Sequence, residues 1–96
     1  PSEIEECLQT HAAVHLSGVI GREDSDRGEI IVAYVVLAQG HKGTDALRRA
    51  LQDHVRANLA AHEYPREVVF IDVLPMTVTG KIQRSVLRQV DQRRAR

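Results

Sequence analysis

The 96-residue sequence predicts an α+β domain: a small three-stranded sheet flanked by helices. Two segments point there most directly. Ile30 to Leu37 is an unbroken, β-branch-rich apolar run set between glycines, the pattern of a central strand covered on both faces. Leu47, Leu51, Val55 and Leu59 recur one helical turn apart behind Thr44, the pattern of an amphipathic helix with a capping hydroxyl. The remaining periodic segments complete the order α-β-β-α-β-α within a single domain, residues 1–96.

Taken in order, Pro1-Ser2-Glu3-Ile4-Glu5 opens a helix. Ser2 is expected to cap its free amides, and Glu5, three residues on, to close a capping box. Ile4, Leu8 and His11 share one face. Val14, Leu16, Gly18 and Ile20 alternate, so Val14 to Ile20 is a strand. Gly21 to Gly28 holds Arg22, Glu23, Asp24, Asp26 and Arg27 and little that is apolar, which predicts a loop. Gly40-His41-Lys42-Gly43 ends the central strand. The helix behind Thr44 carries Ala50 in its apolar stripe and Arg49, Gln52, Asp53 and Arg56 on the other side.

Pro65 stops that helical region, and Val68 to Leu74 follows as a third strand. Pro75, lacking an N–H, prevents its continuation as a paired central element. After the polar stretch Met76 to Lys81, Ile82, Val86, Leu87 and Val90 mark a last helix, with Lys81 near its start. Arg84, Arg88, Arg93, Arg94 and Arg96 crowd this end and read as a solvated helix face.

Composition excludes several functions. Thirteen basic residues balance thirteen acidic ones, so no general field draws the chain to nucleic acid or to an anionic membrane. Tyr34, Tyr64 and Phe70 are the only aromatics, too few for a base-stacking platform. Gly40-His41-Lys42-Gly43 has the G-x-x-G pattern of a KH-like RNA-binding module, but that loop joins two helices, whereas this one follows a strand. No apolar run approaches a membrane span, and no signal peptide leads the sequence. The single cysteine, Cys7, fits a reducing compartment and predicts a cytoplasmic protein. His11 and His15 are four residues apart across a helix exit, and His41, His54 and His62 lack partners at ligand spacing, so no metal site is expected.

The unusual segment is Leu74-Pro75-Met76-Thr77-Val78-Thr79-Gly80-Lys81-Ile82, polar and glycine-containing, between a strand and a helix. Gly80 permits close backbone approach to a ligand, and a helix start offers free amides to an anion. A lysine there opposes the helix dipole unless an anion joins it. The first glycine of a phosphate-binding P-loop is missing and Ile82 follows the lysine, which rejects that motif. On residue chemistry alone, Lys81 is either such an anion-meeting cation or a surface lysine in a turn.

From Pro1 to Arg88 the sequence resembles the C-terminal domain of the adenylate-forming (acyl-CoA synthetase, AMP-binding) superfamily. The resemblance rests on Pro1-Ser2-Glu3-Ile4-Glu5, Arg27-Gly28-Glu29, Ala33-Tyr34-Val35-Val36, Tyr64-Pro65-Arg66 and, most specifically, Leu74-Pro75-Met76-Thr77-Val78-Thr79-Gly80-Lys81-Ile82-Gln83-Arg84. Tyr64-Pro65-Arg66 and the Thr-Gly-Lys-Ile-x-Arg ending are most similar to medium-chain and aromatic acyl-CoA synthetases.

The resemblance implies a mobile C-terminal domain of an ATP-dependent acid–CoA ligase. Its catalytic lysine falls on Lys81, which meets ATP during acyl-AMP formation. Arg27 and Arg56 match positions beside the nucleotide end of CoA; the bland alternatives are a charged loop and the polar stripe of a helix. The family's domain rotates between half-reactions against its own large N-terminal domain, which carries the nucleotide loop, the hinge and the acid pocket. ATP with Mg2+, CoA and a carboxylic acid are implied as substrates of the full-length enzyme, and none is held by this domain alone. Reversible acetylation of Lys81, by a protein lysine acetyltransferase and a deacetylase, is implied as well. A carrier-protein acceptor in place of CoA is the alternative within the superfamily, and a free-standing interaction domain the alternative outside it. The absence of an initiator Met before Pro1 favours an excised piece of something longer.

Overall fold

The computed structural model describes residues 2–94. Pro1, Ala95 and Arg96 lie outside the described residues, and with them the first residue of the helix signal and the last of the arginine cluster. The elements are α1 (Ser2–Gln9), β1 (Val14–Asp24), β2 (Gly28–Leu37), α2 (Asp45–Asn58), β3 (Glu67–Phe70) and α3 (Arg84–Arg94), with a short 3-10 turn at Ala61–Glu63. This is the α-β-β-α-β-α order of an α+β domain. The sheet order is β1-β2-β3, with β1 antiparallel and β3 parallel to β2.

The apolar run of β2 explains its central place. Val32, Ala33, Tyr34 and Val35 are all fully buried. By strand alternation, Ala33 and Val35 join Ile4, Leu8, Leu51 and Val55 beneath α1 and α2. Val32 and Tyr34 join Ile20, Leu74 and Leu87 on the α3 side. Each fully buried aliphatic side chain here stabilises the fold by roughly 1.5–3 kcal/mol relative to exposure. In α2, the Thr44 hydroxyl accepts from the Leu47 amide as the capping pattern predicts. Leu51 and Val55 are its buried positions, whereas Ala50 is exposed and lies outside the stripe.

Several boundaries differ from the sequence reading. The expected loop at Gly21 to Gly28 is mostly β-hairpin: Arg22 pairs with Ile30, Glu23 with Glu29 and Asp24 with Gly28. Charged residues are tolerated because β1 is an edge strand, whose outer side meets water. The alternation of β1 also changes phase. A bulge between Val14 and Leu16 turns Val14 to the face of Val19, under α1 and α2, while Leu16 and Ile20 face α3.

β3 stops at Phe70 instead of reaching Leu74, because the chain then crosses to bury Leu74 in the α3-side cluster. The capping box is not formed as expected. Ser2 is already helical, and the Glu5 carboxylate turns inward to accept from the Val19 amide at 2.8 Å and from Arg84 at 2.7 Å.

The inner face of α3 is set by Leu87 and by a buried acid, Asp91, while Val86 is exposed. Asp91 receives the Arg22 guanidinium through Nε at 2.9 Å and an NH2 group at 2.6 Å, and the Tyr34 hydroxyl at 2.6 Å. Arg22 reaches Glu67 as well, at 2.6 Å. One arginine thereby joins β1, β3 and α3. Gly18 of β1 lets the last segment lie close: a Cβ there would stand 3.0 Å from Leu87 Cδ2 and 3.3 Å from Ile82 Cγ2.

Candidate functional site

Lys81 stands on a small hairpin of its own. Met76 bridges Ile82 in antiparallel fashion, and the Gln83 amide donates to the Pro75 carbonyl at 2.9 Å, closing the base. Within the turn, the Thr77 amide donates to the Lys81 carbonyl at 2.7 Å, and the Gly80 amide to the Thr77 carbonyl at 3.0 Å. The Lys81 amide donates to the Thr77 hydroxyl at 3.0 Å, which also lies 3.0 Å from that of Thr79. Gly80 has φ of 86°, a left-handed conformation that a side chain disfavours. These bonds explain why the turn needs both threonines and the glycine.

Two expectations are corrected here. Ile82 does not open the last helix, because its pairing with Met76 delays α3 until Arg84 and leaves Lys81 in the turn before it. Nor are the amides on either side of the lysine free for an anion: those of Gly80, Lys81 and Gln83 are all taken internally. What the turn presents is a side chain. Lys81 is exposed, and among the described residues no carboxylate pairs with it. The fully exposed Val78 stands beside it at the tip. A pocket of about 360 Å³ adjoins the turn, lined by Lys81, Gly80, Arg84, Glu5 and Ser17 among others.

Arg27 and Arg56, far apart in sequence, converge on Tyr64. Arg56 lies over the Tyr64 ring with its guanidinium carbon 4.0 Å from the centroid, and Arg66 approaches the same ring at 4.8 Å. Arg27 sits at the β1–β2 turn, 3.9 Å from Asp24, and lines a small pocket with Tyr64, Arg66, His62 and Glu29. The neighbouring Arg56, with Arg66 and Arg27 beyond it, pulls the Tyr64 hydroxyl below its ordinary value.

Cation–π stacking on Tyr64 orients the guanidinium groups of Arg56 and Arg66. Tyr64 and Arg66 were not singled out as site residues by their chemistry. Their signal is the Tyr64-Pro65-Arg66 motif itself, which leads the chain into β3 and sets the Arg66 guanidinium over the Tyr64 ring. Met76 and Ile82, which carry the Lys81 turn, pack on the α3 side of the sheet and Tyr64 on the α1 and α2 side, so Lys81 is not brought together with the Tyr64 cluster.

The other candidates have structural partners. His54 bonds the Thr10 hydroxyl at 2.7 Å and the Cys7 carbonyl at 3.0 Å, tying α2 to α1. His11 accepts from the Ala13 amide at 3.1 Å, and burial with the nearby His54 and His41 pulls its pKa down. Cys7 is buried, which pushes its thiol up. Among the described residues, no group of three or more His, Cys, Asp and Glu is placed to hold a metal ion. No helix among them is long and apolar enough to cross a membrane. The Gly40–Gly43 loop joins β2 to α2 and not two helices.

Comparison with known proteins identifies the family of the domain. Residues 3–81 match the family described as AMP-binding enzyme C-terminal domain. The acetyl-coenzyme A synthetase of Rubrobacter xylanophilus is 44% identical over 93 residues, which cover 97% of this chain and 14% of that protein. The crystal structure of Brucella canis acyl-CoA synthetase superposes with a TM-score of 0.94 at 42% identity, covering 100% of this chain and 18% of that one. The anthranilate CoA ligase AuaEII, solved in complex with anthranoyl-AMP, gives 0.85 at 39% identity, covering 94% and 17%. The chain thus spans less than a fifth of the length of these relatives. By sequence and by fold together, it belongs to the family of AMP-binding enzyme C-terminal domains.

Proposed function

We propose that the chain is the C-terminal domain of an ATP-dependent acid–CoA ligase that forms acyl-AMP and then acyl-CoA, with Lys81 and the Tyr64 arginine cluster serving the two half-reactions in turn. The observation that carries this reading is their separation. Lys81 stands on an exposed turn whose Met76 and Ile82 pack on the α3 side of the sheet, whereas the arginines gather around Tyr64, which packs on the α1 and α2 side. One fixed orientation against a larger domain would leave one of the two idle, whereas a domain that rotates uses both. The relatives' greater length supports a large N-terminal domain that carries the nucleotide loop and the acid pocket.

In the first half-reaction the substrate carboxylate attacks the α-phosphorus of ATP, and pyrophosphate leaves with the electron pair of the broken P–O bond. Lys81 contributes a compact ammonium with three donors on a flexible stem, placed to stabilise the charge on the reacting oxygens. The solved relative holding anthranoyl-AMP supports an acyl-adenylate of this kind. Mg2+ enters as the ion of MgATP, held by the triphosphate and by groups outside this chain. In the second half-reaction the CoA sulfur attacks the acyl carbonyl and AMP departs. Arg27 and Arg56, steadied by Asp24 and Tyr64, hold phosphates at the nucleotide end of CoA.

The exposed ammonium of Lys81 is also open to acetylation, which would remove its charge; a lysine acetyltransferase and a deacetylase in the cytoplasm are the partners this requires.

The test separates the half-reactions in the full-length enzyme. Lys81→Ala is expected to lose ATP–pyrophosphate exchange and to keep thioester formation from supplied acyl-AMP. Arg27→Ala and Arg56→Ala are expected to spare exchange and to raise the CoA concentration for half-maximal thioester formation about tenfold each, one charge-assisted contact being about 1.5 kcal/mol. An unchanged CoA dependence would remove the arginines from the site.

A further inference from the structure

The side chain of Lys81 is exposed and flexible, so its aim depends on how its turn is held. On one side the apolar residues Leu74, Met76 and Ile82 rest against the α3-side core. On the other, a single carboxylate does the joining. Glu5 of α1 accepts from the β1 amide of Val19 with one oxygen and from Arg84, three residues past Lys81, with the other. The Ser17 hydroxyl donates to the Glu5 carbonyl at 3.2 Å.

The Glu5 and Arg84 side chains are only 11% and 34% exposed, so water screens the pair little. Arg84 Nε is buried without a partner among the described residues, which leaves Glu5 as the acid that orients this guanidinium. α1, β1 and the base of the lysine turn therefore meet at one acid.

We propose that Glu5 and Arg84 are a positioning pair that fixes the lysine turn to α1 and so sets the aim of Lys81 in adenylation. This rests on the function proposed above, in which Lys81 serves acyl-AMP formation. Neither residue contacts the reacting atoms; each acts through Lys81.

The experiment uses the full-length enzyme with Glu5→Gln, Arg84→Met and Arg84→Lys. Glu5→Gln keeps a carbonyl for the Val19 amide and removes the negative charge facing Arg84; Arg84→Met removes the positive charge facing Glu5, and Arg84→Lys keeps it. Glu5→Gln and Arg84→Met are each expected to lower ATP–pyrophosphate exchange at saturating ATP by about tenfold to a hundredfold, the cost of misplacing a catalytic group by about 1 Å. The KM for ATP and thioester formation from supplied acyl-AMP should stay within about twofold of wild type, and Arg84→Lys should recover most of the exchange.

Adding Arg84→Met to Lys81→Ala should lower exchange no further, because the pair acts only through the lysine. Equal loss of both half-reactions would reduce the pair to a structural tie and overturn the proposal. So would wild-type exchange in Arg84→Met while Lys81→Ala has lost it. Retained exchange in Lys81→Ala itself would instead overturn the function on which the pair depends.

Discussion

Replacing Lys81 by alanine in the full-length enzyme is expected to slow acyl-AMP formation by about a thousandfold. An ammonium about 4 Å from a developing anionic oxygen, at an effective dielectric constant of about 20, stabilises it by about 4 kcal/mol, and that energy sets the factor. Lys81→Gln, which removes the charge as acetylation does, should fall as far. Lys81→Arg should fall less, since it keeps the charge but replaces a compact, flexible donor with a planar fork. Isotope exchange between pyrophosphate and ATP reads the first step, and release of AMP from supplied acyl-AMP and CoA reads the second. The Lys81 turn and Tyr64 pack on opposite faces of the sheet, so the second rate should hold while the first collapses. Parallel loss of both would mean that Lys81 supports the fold or both chemistries, and the assignment would fail.

The second large effect is on stability. Asp91→Ala is expected to cost the domain about 3 kcal/mol, measured by urea denaturation. The substitution strips the buried partner from Arg22 and leaves the Tyr34 hydroxyl without its acceptor. The cost stays near the lower end of the range for broken buried pairs because Arg22 is partly exposed and keeps Glu67. Desolvation and the hydrogen bond to Asp91 push Tyr34 up to about 12, so its hydroxyl remains protonated and donating at any ordinary pH.

The hydrogen bond from Arg22, aided by that from Tyr34, holds the Asp91 carboxyl below its ordinary value. The unfolded chain then binds the proton more readily than the folded one, so this contribution rises with pH. It is complete above the unfolded value of about 3.9 and is lost as pH falls through the lower folded value. Unfolding midpoints between pH 6 and pH 2 should therefore drop more steeply in the wild type than in Asp91→Asn. Equal slopes would show that Asp91 carries no linked proton.

Local pattern was enough for much of this molecule. β2 could be placed because a continuous β-branched run is stable only where both faces are covered, and Val32 to Val35 are buried on both. α2 was legible from its one-turn apolar repeat and from the Thr44 cap, whose bond to the Leu47 amide spans three residues. The lysine turn was legible as a motif, since Pro75, Thr77, Gly80 and Lys81 lie within one short segment. Each of these depends on neighbours in sequence, so sequence carries it.

Contacts between distant residues were not legible in that way. Arg22 read as one more charge in a loop until the fold placed Asp91, 69 residues away, against it. Glu5 satisfied the spacing of a capping box, yet its carboxylate turns inward because Arg84, 79 residues away, outcompetes a local amide. The bulge in β1 reverses which residues face α3, a choice set by cross-strand pairing and invisible to alternation alone.

By itself, the sequence determined the element order, the central strand, the family and the lysine that the turn presents. Tertiary structure alone decided which charges pair, how the lysine turn is held, and that Tyr64 gathers arginines from separate elements. The physical reason is that a charge has no spacing rule of its own: its partner is whichever opposite charge or ring the folded chain brings within a few ångströms.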